Sequence, residues 1–483
     1  MIDIGFGRAE AVAIAPFAVV MIFAMGILLY ETFYPRNDRG SELPFWFSFL
    51  GLSIAGVLSL TGWHSSAAFG GAFALDGVAV FTNLICILSA ALSLMMAVHF
   101  MSLLGVRARE FHSLVLFAVG GMMIISSARD LIVLFLGIEL MSLPAYVLAG
   151  IHRQSQESGE ASLKYFLLGA FATGFLLYGI ALLFGATGTT TYAGISSALG
   201  EAPRTPLLIG VAMLIVALGF KVGIVPFHFW APDVYQGAPT PVTAFMAVAV
   251  KAAALVGLAR LFMEALGGLY VDWGTAFWWL SVATMTLGNF VAISQGNVKR
   301  MLAYSSVAHA GYLLAAVATG SARGGGAMLF YLLTYAFMNL GAFAVVVSMR
   351  ARGEANELIS DYRGLGVRRP ILGAAMVLFL FSLMGIPPLA GFVGKLYIIE
   401  ALVASQETIL AIILILNSVV SGYYYLSLIV EMFMRDPEGE PQEVEPQPYV
   451  MICVFVALVG TIFLGIFPDT ALDAARDSFA ALR

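Results

Sequence analysis

The chain is a close succession of apolar runs, each about as long as a helix that crosses a bilayer, and this repetition limits its fold more than any motif. The runs fall near 11–30, 45–62, 77–102, 113–128, 130–150, 163–186, 206–227, 241–265, 275–293, 301–319, 326–349, 371–402, 408–433 and 449–467. At 1.5 Å rise per residue, about 20 residues span a hydrocarbon layer of about 30 Å. Lipid offers no hydrogen bonds, so a spanning backbone must be helical or a closed barrel, and these runs are about twice the length of a barrel strand. The expectation is an all-α integral membrane protein of fourteen transmembrane helices. The fourth and fifth are parted only by Ala128, Arg129 and Asp130. With 60% hydrophobic and 11% charged residues and a mean hydropathy of +0.93, a soluble globular chain is excluded.

Several function classes fall away on the same grounds. Cys86 and Cys453 stand alone in apolar runs, so they build no disulfide framework, zinc site or thiolate-ligated iron–sulfur cluster. The net charge of -5 comes without a basic tract, which argues against a nucleic-acid partner. Gly394-Lys395 is followed by Leu396 in an apolar run and is no phosphate loop. Residues 1–10 carry Asp3, Arg8 and Glu10 without a basic n-region, so the first run reads as a retained span. The acidic, proline-rich stretch from Asp436 to Pro448 reads as a solvated connection.

Basic residues orient the spans, because they concentrate on the cytoplasmic side. Connections after odd-numbered spans hold fourteen Lys and Arg residues, among them Arg36, Arg107, Arg153, Lys299 and Arg350. The other side holds seven, among them Arg129, Arg204, Arg260 and Arg476. Both termini are therefore expected to face the periplasm.

Three of the 24 basic residues remain, and all three are lysines deep inside spans: Lys221, Lys251 and Lys395. A charge at mid-bilayer costs about 2.5–3.5 kcal/mol on insertion scales, so they should line a polar interior. Glu139 is the acid most clearly set within a span. Lysine suits proton carriage because its ammonium releases a proton more readily when desolvated and less readily beside a carboxylate. Glu139 and Lys221 form the expected switch, Lys251 the lateral relay and Lys395 the last site before exit. Snorkelling to a headgroup layer is the bland alternative for each lysine. Lys164, at the start of its span, reads either as an interfacial anchor or as a participant. His228 and His309 are candidate relays, although each would serve equally as a hydrogen-bonded core histidine.

Two spans are interrupted at related motifs, Gly223-Ile-Val-Pro226 and Gly385-Ile-Pro-Pro388. Broken helices survive at membrane depth where they line a wet cavity, and paired breaks point to a transport site. Arg129-Asp130 lies upstream of Glu139 as Lys299-Arg300 does of His309, and KYFLLGAF (164–171) echoes LFYLLTYAF (329–337). These echoes predict two inverted five-helix repeats, roughly 113–265 and 275–433, with discontinuous helices near 223–226 and 385–388, within one transmembrane domain over 1–483.

The segments GIELMSLPAYVL, ALGFKVGIVPFHFWAPDVYQGAPTPVTAFMAVAVKAA and QGNVKRMLAYSSVAHAGY resemble the proton-translocating membrane family that includes respiratory complex I and the multisubunit Na⁺/H⁺ antiporters. The resemblance runs from about 110 to 435. It implies a fourteen-span antiporter-like fold and places the family's proton-transfer residues on Glu139, Lys221, Lys251 and Lys395. A lysine at 395 resembles the N-type rather than the M-type subunits of bacterial NADH:quinone oxidoreductase. It further implies partners among the other membrane subunits of one complex, a proton-translocating role coupled to quinone reduction, and no cofactor in this chain. NADH, FMN, iron–sulfur clusters and quinone would then belong to partner subunits. A subunit of a Na⁺/H⁺ antiporter or membrane-bound hydrogenase is the nearer alternative, and a non-pumping scaffold is the more distant one.

Overall fold

The computed structural model describes residues 7–33, 42–106, 110–350, 356–436 and 447–481. Among them, twelve helices are long and apolar enough to cross a membrane, and two shorter apolar helices, Phe111–Ser127 and Pro370–Met384, stand at the places of the fourth and twelfth spans. The fourteen expected spans are thus present, with the expected order and nearly the expected bounds. In chain order the helices are α1 (Arg8–Phe33), α2 (Leu43–Thr61), α3 (Gly77–Leu103), α4 (Phe111–Ser127), α5 (Leu131–Ala149), α6 (Gln156–Thr187), α7 (Tyr192–Ala198), α8 (Arg204–Val222), α9 (Trp230–Gly237), α10 (Thr240–Phe245) and α11 (Lys251–Arg260). The second half continues with α12 (Tyr270–Ile293), α13 (Val298–Ala318), α14 (Ala322–Ser348), α15 (Leu365–Arg368), α16 (Pro370–Met384), α17 (Ala390–Ala404), α18 (Thr408–Met434), α19 (Pro448–Ile466) and α20 (Asp469–Ala480).

The helix starts follow from capping. Asp76, Asp130, Ser155, Asn297 and Ser321 each accept a hydrogen bond from a first-turn N–H, which satisfies donors that lipid would leave bare. Proline opens α2, α16 and α19, where its missing N–H is no loss. Both expected breaks are present: α8 ends at Gly223 (φ 79°) and α16 at Gly385 (φ 94°), left-handed conformations that favour glycine.

The two repeats are visible in the backbone itself. Asp130 bridges Thr191, and Asn297 bridges Leu358. Leu131 N–H donates to the Thr190 carbonyl as Val298 N–H does to that of Glu357, and Tyr192 to Arg129 as Ile359 to Gly296. Every one of these six positions in the first half lies 167 residues before its partner in the second. This register departs from the one expected: Glu139 falls on Ser306 rather than on His309, and Ser142 falls on His309. Backbone pairing fixes alignment, whereas the resemblance of charged dipeptides had slipped by three residues.

α10, the π-helical turn Met246–Val250, α11 and a second π-turn, Leu261–Ala265, form one continuous span, which lies wholly inside the protein. α13 and α14 are nearly as enclosed, whereas α1, α6 and α19 present exposed Ile22, Phe171 and Phe455 outward. Among the elements without a sequence signal are a β-hairpin, His64–Ala68 with Phe73–Asp76, and, last in the chain, α20. The latter seats Ser478, Phe479 and Arg476 against Gly77, Gly325 and Gly326, where a Cβ would collide. The acidic connection expected at 436–448 lies, apart from its ends, outside the described residues, as do Arg36 and Arg107 of the orientation count.

Candidate proton-transfer site

α5 carries Glu139, Ser142 and Tyr146 at spacings of three and four, one stripe on an apolar helix. Lys221, in the last turn of α8, reaches that stripe: its Nζ donates to Ser142 Oγ (2.7 Å) and Tyr146 Oη (2.9 Å). Glu139 does not touch the ammonium. Its Oε1 accepts from Thr173 Oγ1 of α6 (2.7 Å), and it remains close enough to couple with Lys221 and Tyr146 through charge. The carboxylate and the ammonium are therefore not in ion-pair contact; they share the α5 stripe, with two hydroxyls on the lysine side of it. Glu139 is only half-buried, less enclosed than expected, because the outer flank of α5 and α6 exposes Leu143, Leu167 and Phe171.

Lys251 follows the π-turn of the central span and donates to the carbonyl (2.5 Å) and hydroxyl of Ser306 on α13. One turn further along α13, His309 Nδ1 meets Tyr331 Oη at 2.7 Å and Nε2 meets Tyr425 Oη at 3.3 Å, with Ser305 Oγ also on Tyr425 (2.5 Å). Lys251 meets α13 at Ser306, one turn before His309, and Lys395 meets it at Tyr312, one turn after. Lys395, on α17, turns back across the break and donates to the carbonyls of Leu383 (3.0 Å) and Met384 (2.9 Å), over the face of Tyr312 at 4.9 Å. The negative end of a helix dipole and an aromatic face both favour a cation there.

The three lysines are 3–4% exposed, and none snorkels. Among the described residues, each ammonium is held by neutral acceptors rather than by a carboxylate in ion-pair range. This is what a carrier needs, since a lysine bound by hydroxyls and carbonyls can lose its proton without stranding a buried carboxylate.

Other charged groups are locked in pairs. Arg260 is fully buried, clasps Asp76 through both guanidinium nitrogens (3.0 and 2.6 Å) and binds Glu264 (2.9 Å), while Arg129 closes the ring on Asp76 and Glu264. Arg260 was expected in a connection; it lies inside the span. Lys164 is partly exposed and paired with Glu160 (2.6 Å) and Asp233 (2.9 Å), on a polar cleft of about 150 Å³ that Arg300 also lines. His228 lies in the first break against Phe229 and contacts neither lysine. In the connections, burial and the nearby Arg350 guanidinium hold the His152 imidazole below its usual range.

The residues missed from sequence were the neutral partners: Ser142, Tyr146, Thr173, Ser306, Tyr331 and Tyr425. The polar stripe on α5 was readable by spacing, but single tyrosines in apolar helices look like packing.

Known proteins resemble this arrangement along its length. Residues 128–421 match the family described as NADH:quinone oxidoreductase/Mrp antiporter. A curated relative, NADH-quinone oxidoreductase subunit N of Trichlorobacter lovleyi, is 44% identical over 96% of each chain. A chain of respiratory complex I from Thermus thermophilus is 35% identical and superposes with a TM-score of 0.81, covering 95% of this chain and 99% of that one. A chain of the Mrp complex from Dietzia sp., at 21% identity, a TM-score of 0.82 and 97% coverage of each chain, shares the fold. By family match, identity and coverage, this multi-pass membrane protein belongs to the NADH:quinone oxidoreductase/Mrp antiporter family, among the subunits N.

Proposed function

We propose that this chain is the proton-translocating subunit N of a bacterial NADH:quinone oxidoreductase, acting as a single transmembrane domain in the cytoplasmic membrane with both termini on the periplasmic side. Three buried ammonium groups without ion-pair partners among the described residues, spread across both repeats, carry this reading. Glu139 tunes Lys221; Lys251 passes the proton toward the second repeat; His309, between two tyrosine hydroxyls, bridges to Lys395. Lys164 serves at the rim of the polar cleft, and His228 stands by the first break as a further relay. Other membrane subunits of the complex border this chain, while NADH, FMN, iron–sulfur clusters and quinone reside in partner subunits, whose redox cycle biases the protonation states here. The 35% identity to a complex I chain, against 21% to an Mrp chain, favours the oxidoreductase over an antiporter.

In the assembled complex, Lys221→Met and Lys251→Ala should each abolish most NADH-driven proton uptake and slow quinone reduction, because coupled steps stall together. Wild-type proton-to-electron stoichiometry in both variants would leave only a scaffold.

A further inference from the structure

A proton carried by Lys221 and then by Lys251 has to pass between α8 and the central span. The structure places a row of packed aromatic side chains there, three of them tyrosines. Tyr146, which accepts from Lys221, meets Tyr165 edge to face at 4.7 Å and 87°. Tyr165, on α6, stacks on Trp230 at 4.4 Å and 9°, and Trp230 meets Tyr235 edge-on at 5.8 Å. The indole of Trp230 is itself fixed, donating to the Phe220 carbonyl beside Lys221 (2.9 Å). α9, which carries Tyr235, packs on α13, where the Ser306 carbonyl and hydroxyl accept from Lys251.

The middle of the row is anomalous. Tyr165 is 0% exposed, and its Oη has no hydrogen-bond partner among the described residues. Its ring touches that of Tyr146 on one side and, through Trp230, is linked to that of Tyr235 on the other. Along the rest of the axis the tyrosine hydroxyls are engaged, Tyr331 and Tyr425 with His309 and Tyr335 with Asn339. A phenylalanine at 165 would keep the stack on Trp230 and avoid burying a bare hydroxyl, which is unfavourable. The oxygen is therefore explained by partners that move, and buried water is the ordinary partner of such a group.

We propose that Tyr165 is the hydroxyl relay between Lys221 and Lys251, with water completing its contacts to Tyr146 and Tyr235. The proposal rests on the lysines being proton carriers. In each transfer Tyr165 Oη takes a proton from the Tyr146 side and releases its own toward Tyr235. After one pass Lys221 is an amine, Lys251 an ammonium, and every tyrosine is as it began; no electron moves.

The test uses the whole complex reconstituted in vesicles, with NADH and quinone supplied and proton uptake followed. Tyr165→Phe removes one oxygen and keeps the aromatic stack. It should enter the complex normally, slow pumping roughly tenfold or more, and enlarge the D₂O isotope effect on pumping, which a packing defect would not do. Tyr235→Phe should act in the same direction. Pumping at the wild-type rate in Tyr165→Phe would overturn the relay, and so would its failure to assemble, because the hydroxyl would then be holding the fold. Lys221→Met, run beside it, separates the two ideas: normal pumping there defeats the carrier reading, whereas a stalled Lys221→Met with a normal Tyr165→Phe defeats only the relay.

Discussion

The two repeats hold their broken-helix lysines in opposite ways. Lys221 stands before its break and reaches sideways to hydroxyls on α5, one turn from a carboxylate, whereas Lys395 stands after its break and folds back onto the carbonyls that end α16. The first cradle is made of side chains that can rotate, with a carboxylate one turn away. The second is made of backbone dipoles fixed by the helix that carries them. One cradle depends on side-chain identity, and the other on backbone conformation.

Removing both side-chain acceptors should expose that contrast most strongly. The pair Ser142→Ala with Tyr146→Phe strips Lys221 of hydrogen bonds of about 1.5–3 kcal/mol each to a charged donor, so pumping should fall at least about 100-fold. Activity near wild type would mean that the hydroxyls are not the cradle. A smaller effect separates the breaks themselves. Gly223→Ala meets nothing within 4 Å and pays only for its left-handed backbone, about 1–2 kcal/mol, whereas a Cβ at Gly385 also presses on Lys395 Cδ at 3.2 Å. Gly385→Ala should therefore lower both thermal stability of the complex and pumping more than Gly223→Ala; equal losses would show that the second cradle is not the tighter one. The mildest change, Thr173→Val, frees Glu139 from the Thr173 hydroxyl and should alter pumping only roughly tenfold, for one hydrogen bond of about 1.5 kcal/mol to a charged group. No change at all would detach Glu139 from Lys221.

Much of this was legible in the sequence. Apolar run length gave the spans, glycine with proline gave the breaks, and the cost of a buried charge singled out Lys221, Lys251 and Lys395. What stayed hidden depended on three-dimensional pairing. The repeat register is set by bridges such as Asp130 to Thr191 and Asn297 to Leu358, which leave no mark on composition. Arg260 was placed at a span end because its partner Asp76 lies 184 residues away in the chain, and Arg129, which shares Asp76 and Glu264 with it, comes from a further segment. Tyrosines such as Tyr331 and Tyr425 are recognisable as partners only once His309 is between them.

The π-turn Met246–Val250 directly precedes Lys251. Such a turn accommodates an extra residue relative to α-helix, and each α-helical residue advances the side chains by about 100°. The direction in which this amine points is therefore set by chain length as well as by chemistry. Losing a single codon in that turn would take out the extra residue and let the span continue as α-helix with the lysine still facing Ser306, whereas losing one in α10 would turn the amine by about 100°.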